Sequence, residues 1–207
     1  VMEKADEFNQ KDQVSKALAA LYSGIERFPD ERRLYEMLTE MLIDTKQFEE
    51  AINVLNKMPS DLSDIWKLER LGYCQEGLDH PEDAEKIVDL VLSLHPTSPL
   101  ASNLKGMVAY KKGDKEVAES FFRKAMSSDP GYGEPYTNLG VLKWTLDQKD
   151  AALNLLERGV ILSPTMTDAI TTYHSAITAA QDFERAEGIF REAKALYPLN
   201  RRIAFLL

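Results

Sequence analysis

Apolar residues in this chain recur three and four positions apart, as in FFRKAMSSDP and LLERGVILSP. That spacing lays one buried stripe along a helix. No stretch alternates apolar and polar residues over the length of a strand, so the pattern predicts an all-helical chain. The helical segments also repeat. Between Pro99 and Pro164, Gly106 and Gly140 stand 34 residues apart, and so do Ala118 and Ala152, Phe122 and Leu156, Ala125 and Gly159, and Pro130 and Pro164. A period near 34 holding two helical segments marks tandem helix pairs that bury their apolar faces on their neighbours.

The same register runs through the rest of the chain. Ala17, Ala51, Ala84, Ala118, Ala152 and Ala186 form a ladder, one at the start of each second helix's buried stripe. Four positions later stand Leu21, Leu55, Val88, Phe122, Leu156 and Phe190. Pro29, Pro96, Pro130, Pro164 and Pro198 close units, while Pro59 arrives early and predicts a clipped second helix followed by PSDLSD. Ala5, Gly72, Gly106 and Gly140 occupy a small-residue position in the first helices. Thr39 and His174 break that rule, and His174 is expected to sit in its helix pair and widen it. The units span about 1–31, 32–64, 65–98, 99–132, 133–166 and 167–200, and 201–207 start a further helix. Both ends look cut, as in a piece of a longer protein. Prolines at 81, 99 and 135 suit first helical turns, and Asp64, Asp114, Thr167 and Asp182 are candidate N-caps.

With these residues in place, the chain resembles the tetratricopeptide repeat family over nearly its whole length. The family pattern has an aromatic or apolar residue fourth in the unit, leucine and a small residue seventh and eighth, and an aromatic eleventh. Alanine follows at the twentieth position, a large apolar residue at the twenty-fourth, a small one at the twenty-seventh and proline at the thirty-second. Residues 133–164 fit best, through Tyr136, Leu139, Gly140, Ala152, Leu156, Gly159 and Pro164. Lys143 and Lys105 depart from it, standing where an aromatic and a leucine are usual. The resemblance implies a right-handed superhelical α-solenoid of tandem antiparallel helix pairs, with first helices lining an inner groove that holds an extended or helical peptide of another protein.

Carried over position by position, the resemblance places Glu36, Glu40 and Asp44 of the second unit on that groove, with Trp66, Glu69, Tyr73 and Glu76 of the third. The fourth unit gives Asn103, Met107, Tyr110 and Lys111, and the fifth Thr137, Asn138, Val141 and Trp144, with Thr145 beside them. The sixth offers Asp168, Thr171, Ser175, Thr178 and Ala179. The expected groove is acidic toward the second and third units and aromatic from the third to the fifth. Its expected ligand is a peptide with apolar and basic residues. The opposing readings are that the aromatics pack between adjacent first helices and that the acids form a solvated face. A clamp for a terminal carboxylate needs several convergent donors, and only Arg33 and Lys111 are basic on these positions. Asn138 occupies the clamp's asparagine position, but its counterparts in the other units are Met37, Arg70, Leu104 and Thr172, and the asparagine ladder of some members is absent too.

The chain has 207 residues, 44% of them hydrophobic and 29% charged, with a net charge of −9 and a pI near 5.0. That balance argues against nucleic acid, whose binding rests on clustered lysine and arginine, and against an anionic membrane surface. No apolar run is long enough to span a bilayer and no export signal opens the chain, which favours the cytoplasm. The single Cys74 forms no disulfide within the chain. His80 and His95 fall in turns between helices, and the three histidines lack metal-ligand spacing. DPGYGEP has no strand before it and reads as an inter-repeat turn rather than a phosphate loop. No catalytic residue, metal or cofactor is expected. The leading expectation is a protein-interaction scaffold. The alternatives are a substrate-recruiting arm of a larger enzyme, such as a glycosyltransferase or methyltransferase, and self-assembly through the repeat ends.

Overall fold

A computed structural model of the chain describes residues 1–10, 13–61, 63–163 and 167–197. Twelve helices and no strand occur among them: α1 (Met2–Gln10), α2 (Val14–Arg27), α3 (Arg32–Asp44), α4 (Phe48–Lys57), α5 (Ile65–Gly77), α6 (Pro81–Leu94), α7 (Pro99–Lys111), α8 (Lys115–Ser128), α9 (Glu134–Thr145), α10 (Lys149–Leu162), α11 (Thr167–Ala180) and α12 (Phe183–Leu196). The early proline does shorten α4, which has 10 residues where most second helices have 14. The chain divides into two compact units, Val1–His95 and Pro96–Leu207. In the first, α1, α3 and α5 each pair with the following helix, and α2–α3 and α4–α5 contacts stack the pairs. In the second, α7–α8 and α9–α10 pair the same way and α8–α9 contacts stack them.

Residue size sets how closely a pair closes. Ala17, Ala51, Ala84, Ala118 and Ala152 are wholly buried, and the large residues four positions on, from Leu21 to Phe190, are all at most 2% exposed. A Cβ added at Gly106 would stand 2.6 Å from the Phe122 ring and 3.2 Å from the Ala118 carbonyl oxygen. At Gly140 it would meet Leu156 at 2.8 Å and the Ala152 oxygen at 3.3 Å. The small residue of the first helix thus receives the large residue of the second, with the ladder alanine's backbone beside it. Between units, Tyr35 and Tyr136 donate their hydroxyls to the carbonyls of the preceding closing prolines, Pro29 at 3.0 Å and Pro130 at 3.3 Å.

The turn inside each pair repeats with equal strictness. Lys46, Asp79, Gly113, Asp147 and Gln181 all have φ between 57° and 88°. Each ends its helix in a Schellman motif, in which the next N–H reaches back across the last turn, as Gln47 does to Leu42 and Gln148 to Lys143. The residue after the left-handed one is then the N-cap of the second helix.

Helix caps follow expectation in part. Asp64, Ser98 and Asp182 accept from the N–H groups of Lys67, Ala101 and Arg185. Asp114 occupies its N-cap without a side-chain bond, and Thr167 is already helical, so the cap of α11 lies outside the described residues. Pro164, Pro198 and residues 201–207 lie outside them too.

The sixth pair is built differently. His174 is exposed rather than set between the helices, and Tyr173 beside it is the buried residue. An imidazole at the small-residue position is too large for close approach. The helix buries Ala169, Ile170, Tyr173, Ala176 and Ile177, with Tyr173 at the position that Leu139 holds one unit earlier. It packs on α10 and touches α9 as the first helices before it do, but meets α12 only sparsely, so the sixth pair is opened. The Tyr173 and Phe190 rings meet edge to face at 5.7 Å. Glu157 of α10 holds this end together, accepting from the Tyr173 hydroxyl at 3.2 Å and from both Nε and Nη2 of Arg185. Burial, and then the Glu157 charge, raise the Tyr173 phenol's pKa.

Candidate functional site

In the Val1–His95 unit the groove positions of α3 and α5 close on themselves. The Trp66 indole lies between two guanidinium groups, Arg32 at 5.9 Å and Arg70 at 4.9 Å from the ring centre. Arg32 donates to Glu36 at 2.6 Å and to both oxygens of Asp64. Arg70 donates to Glu40 at 2.8 Å and to Glu69 at 3.4 Å. The Arg32 hydrogen bond holds the Asp64 carboxyl below its ordinary value, and the same bond raises Arg32. Three of the acids carried over as groove residues, Glu36, Glu40 and Glu69, are therefore already partnered by arginine. Asp44 is different: partial desolvation, and then the neighbouring Glu40 charge, raise its pKa. Glu76 is 8% exposed, and Tyr73 packs edge-on against Phe48 at 6.4 Å. Cys74 lies buried on the same helix, where desolvation pushes its thiol up to about 12.

In the Pro96–Leu207 unit the fourth-unit positions serve the interior. Asn103 is wholly buried; its amide donates to Glu134 at 3.2 Å and to Tyr132 at 3.3 Å, and its carbonyl oxygen accepts from Asn138 at 3.0 Å. Tyr132 in turn donates to Glu134. This network ties α7 to the start of α9. Thr137 is 7% exposed beneath Gly159, where a Cβ would stand 2.3 Å from its hydroxyl. Met107 and Tyr110 are partly buried against the core around Phe122, and Lys111 is exposed at the end of α7. Lys143, at a position usually aromatic, instead reaches Glu119 of α8 at 2.8 Å with 11% of its side chain exposed. That bond is the main reason the Glu119 carboxyl lies below its ordinary value.

Between α9 and α11 a cleft of about 440 Å³ opens over α10. Val141, Trp144 and Thr145 line it from α9, Leu156 forms the floor, and Thr171, Thr172, Ser175, Ala176 and Ala179 line the other side. Six of these nine are groove positions carried over from the repeat pattern: Val141, Trp144, Thr145, Thr171, Ser175 and Ala179. The cleft is the gap between the successive first helices α9 and α11, above the second helix α10 on which both pack. Among the described residues, no cluster of three or more His, Cys, Asp or Glu side chains is placed to hold a metal ion, and no helix is long and apolar enough to cross a membrane.

Residues 101–132 match the tetratricopeptide repeat family. The chain is 23% identical over 187 residues to tetratricopeptide repeat protein 1 of Schizosaccharomyces pombe, covering 89% of this chain and 18% of that relative's length. Its fold is similar to the crystal structure of the APC/C hetero-tetramer Cut9–Hcn1, with a TM-score of 0.73 and 18% identity over 100% of this chain and 41% of that one. It is similar also to a tetratricopeptide repeat protein from Parabacteroides merdae, with a TM-score of 0.72 and 17% identity over 100% of this chain and 81% of that one. Residues 101–132 thus carry a tetratricopeptide repeat, and the chain as a whole has the fold of tetratricopeptide repeat arrays. Arrays of this family are in general protein–protein interaction scaffolds.

Several working residues escape the repeat pattern. Arg32, which partners Glu36, falls on a position that the groove map does not count, and Arg70, which partners Glu40 and Glu69, falls on the position of Asn138, where the pattern gave no sign of those bonds. Glu157 and Arg185 have no counterpart in the pattern and nothing in their spacing marks them, whereas Tyr173 stands 34 residues after Leu139, at the pattern's leucine position.

Proposed function

We propose that this chain is a protein-interaction scaffold that holds a segment of another protein against the first helices of its Pro96–Leu207 unit, with the cleft between α9 and α11 as the anchor point. The observation that carries this reading is the coincidence of two independent facts. The repeat pattern assigns Val141, Trp144, Thr145, Thr171, Ser175 and Ala179 to the ligand-facing surface, and those same residues line a concave, largely apolar cavity. Trp144 is partly buried there with its ring against the sixth-unit core, the setting in which an aromatic residue dominates binding energy. The Val1–His95 unit has less to offer a basic ligand than its sequence suggests, because Arg32 and Arg70 already occupy its carboxylates.

A random peptide library displayed on phage and selected against the whole chain tests this reading. Enriched peptides should lose at least ~2 kcal/mol of affinity to Trp144→Ala, measured at a temperature where the variant keeps its helical content. Failure to enrich any peptide, or equal affinity for the variant, would contradict it.

A further inference from the structure

Granting that the cleft receives part of a partner segment, its chemistry specifies which part. None of the nine lining residues is ionisable. Trp144, Leu156, Val141, Ala176 and Ala179 supply apolar surface, and the side-chain polar groups are the Trp144 indole N–H and the hydroxyls of Thr145, Thr171, Thr172 and Ser175. Two of those hydroxyls have spent their protons on their own helices: Thr145 donates to the Leu142 carbonyl at 2.8 Å, and Ser175 to the Thr171 carbonyl at 2.9 Å. A hydroxyl oxygen whose proton is committed still accepts. Thr145 and Ser175 therefore offer oxygen acceptors beside the apolar area, and none of the described lining residues carries a charge to balance a buried ammonium, guanidinium or carboxylate.

Tryptophan has the complementary chemistry, a large apolar body carrying a single N–H donor. Phenylalanine matches the area without the donor, and lysine and glutamate match neither. We infer that the cleft is a pocket for one aromatic side chain of a partner's peptide segment, tryptophan above all, with the Trp144 ring as one wall. Selectivity here comes from shape and hydrogen bonding, not from the acidic residues of the other unit.

Four probes test it: acetylated, amidated pentapeptides Gly-Ser-X-Ser-Gly with tryptophan, phenylalanine, lysine or glutamate at X, titrated into the whole chain and followed by NMR shifts. The tryptophan peptide should perturb Val141, Thr171, Ala176 and Ala179 and bind at least ~10-fold tighter than the lysine and glutamate peptides. Its affinity should change by less than about twofold between roughly 50 and 500 mM salt, since no charge pair forms. Ala179 is exposed at the rim, so Ala179→Phe folds while filling the mouth, and should weaken the tryptophan peptide at least ~10-fold. Equal binding of the lysine or glutamate peptide would overturn the proposal, as would indifference to both Ala179→Phe and Trp144→Ala. If the chain alone dimerises and Ala179→Phe dissolves the dimer, the occupant is a second copy and the proposal is wrong. Phage-selected peptides that need Trp144 but contain no aromatic residue would sink the pocket's aromatic preference while leaving the scaffold reading intact.

Discussion

Gly140 and Ala152 face each other across one helix pair, and neither position has room to spare. A Cβ at Gly140 would press on Leu156 at 2.8 Å, so Gly140→Ala should cost roughly 1–3 kcal/mol by overpacking, read as a lower urea midpoint. Ala152 is buried and Ala151 exposed, so Ala152→Leu should lower the melting temperature well beyond Ala151→Leu, and equal shifts would reject the register. Acid sensitivity belongs at this scale too. Asp64 and Glu119 titrate below their ordinary values of 3.8 and 4.5 because Arg32 and Lys143 hydrogen-bond their charged forms. A depressed folded pKa gives stability that is complete above the unfolded value and is lost as pH falls through the folded one. The urea midpoint should therefore fall as the pH is lowered below the ordinary values of these carboxyls, 3.8 and 4.5, and Asp64→Asn should flatten that drop. An unchanged pH profile for Asp64→Asn would show that the Arg32 pair contributes little. Small and large residues at fixed spacing were legible in the sequence because size is intrinsic to the residue. The burial of Asn103 was not, because it depends on Tyr132, Glu134 and Asn138, which only the fold brings to it.

At the scale of the element, the helix pair turns on one left-handed residue. Five described pairs place Lys46, Asp79, Gly113, Asp147 and Gln181 there, and only one is the residue that adopts this conformation without strain. Gly113→Ala should cost about 1–2 kcal/mol by denaturant titration, because nothing crowds its Cβ and only the backbone conformation is at issue. A neutral result would mean that the turn relaxes. Since four of the five are not glycine, this ladder is silent in composition even though its period is exact in the fold. The sixth pair shows the converse. His174 signalled a widened pair, and α11 and α12 do meet only sparsely, but no periodicity encodes the bonds from Tyr173 and Arg185 to Glu157 that hold this end together.

For the molecule as a whole, charge is divided unevenly along the chain. Residues 1–95 hold 11 Lys and Arg against 21 Asp and Glu, a net of −10, and residues 96–207 hold 14 against 13, a net of +1. The uncharged cleft belongs to the near-neutral unit, so the net charge of −9 says little about the chemistry of the site proposed there. The repeat grammar made the helix pairs legible. It was blind to the arginines that partner Glu36, Glu40 and Glu69 and to the bonds of Glu157 in the sixth pair. Hydrogen exchange of the whole chain, with and without a phage-selected peptide, bears most directly on the central claim. The account predicts new protection in α9 and α11, centred on residues 141–145 and 171–179, and none of comparable size in α8 or α12. Protection confined to the second helices, or to the Val1–His95 unit, would contradict it.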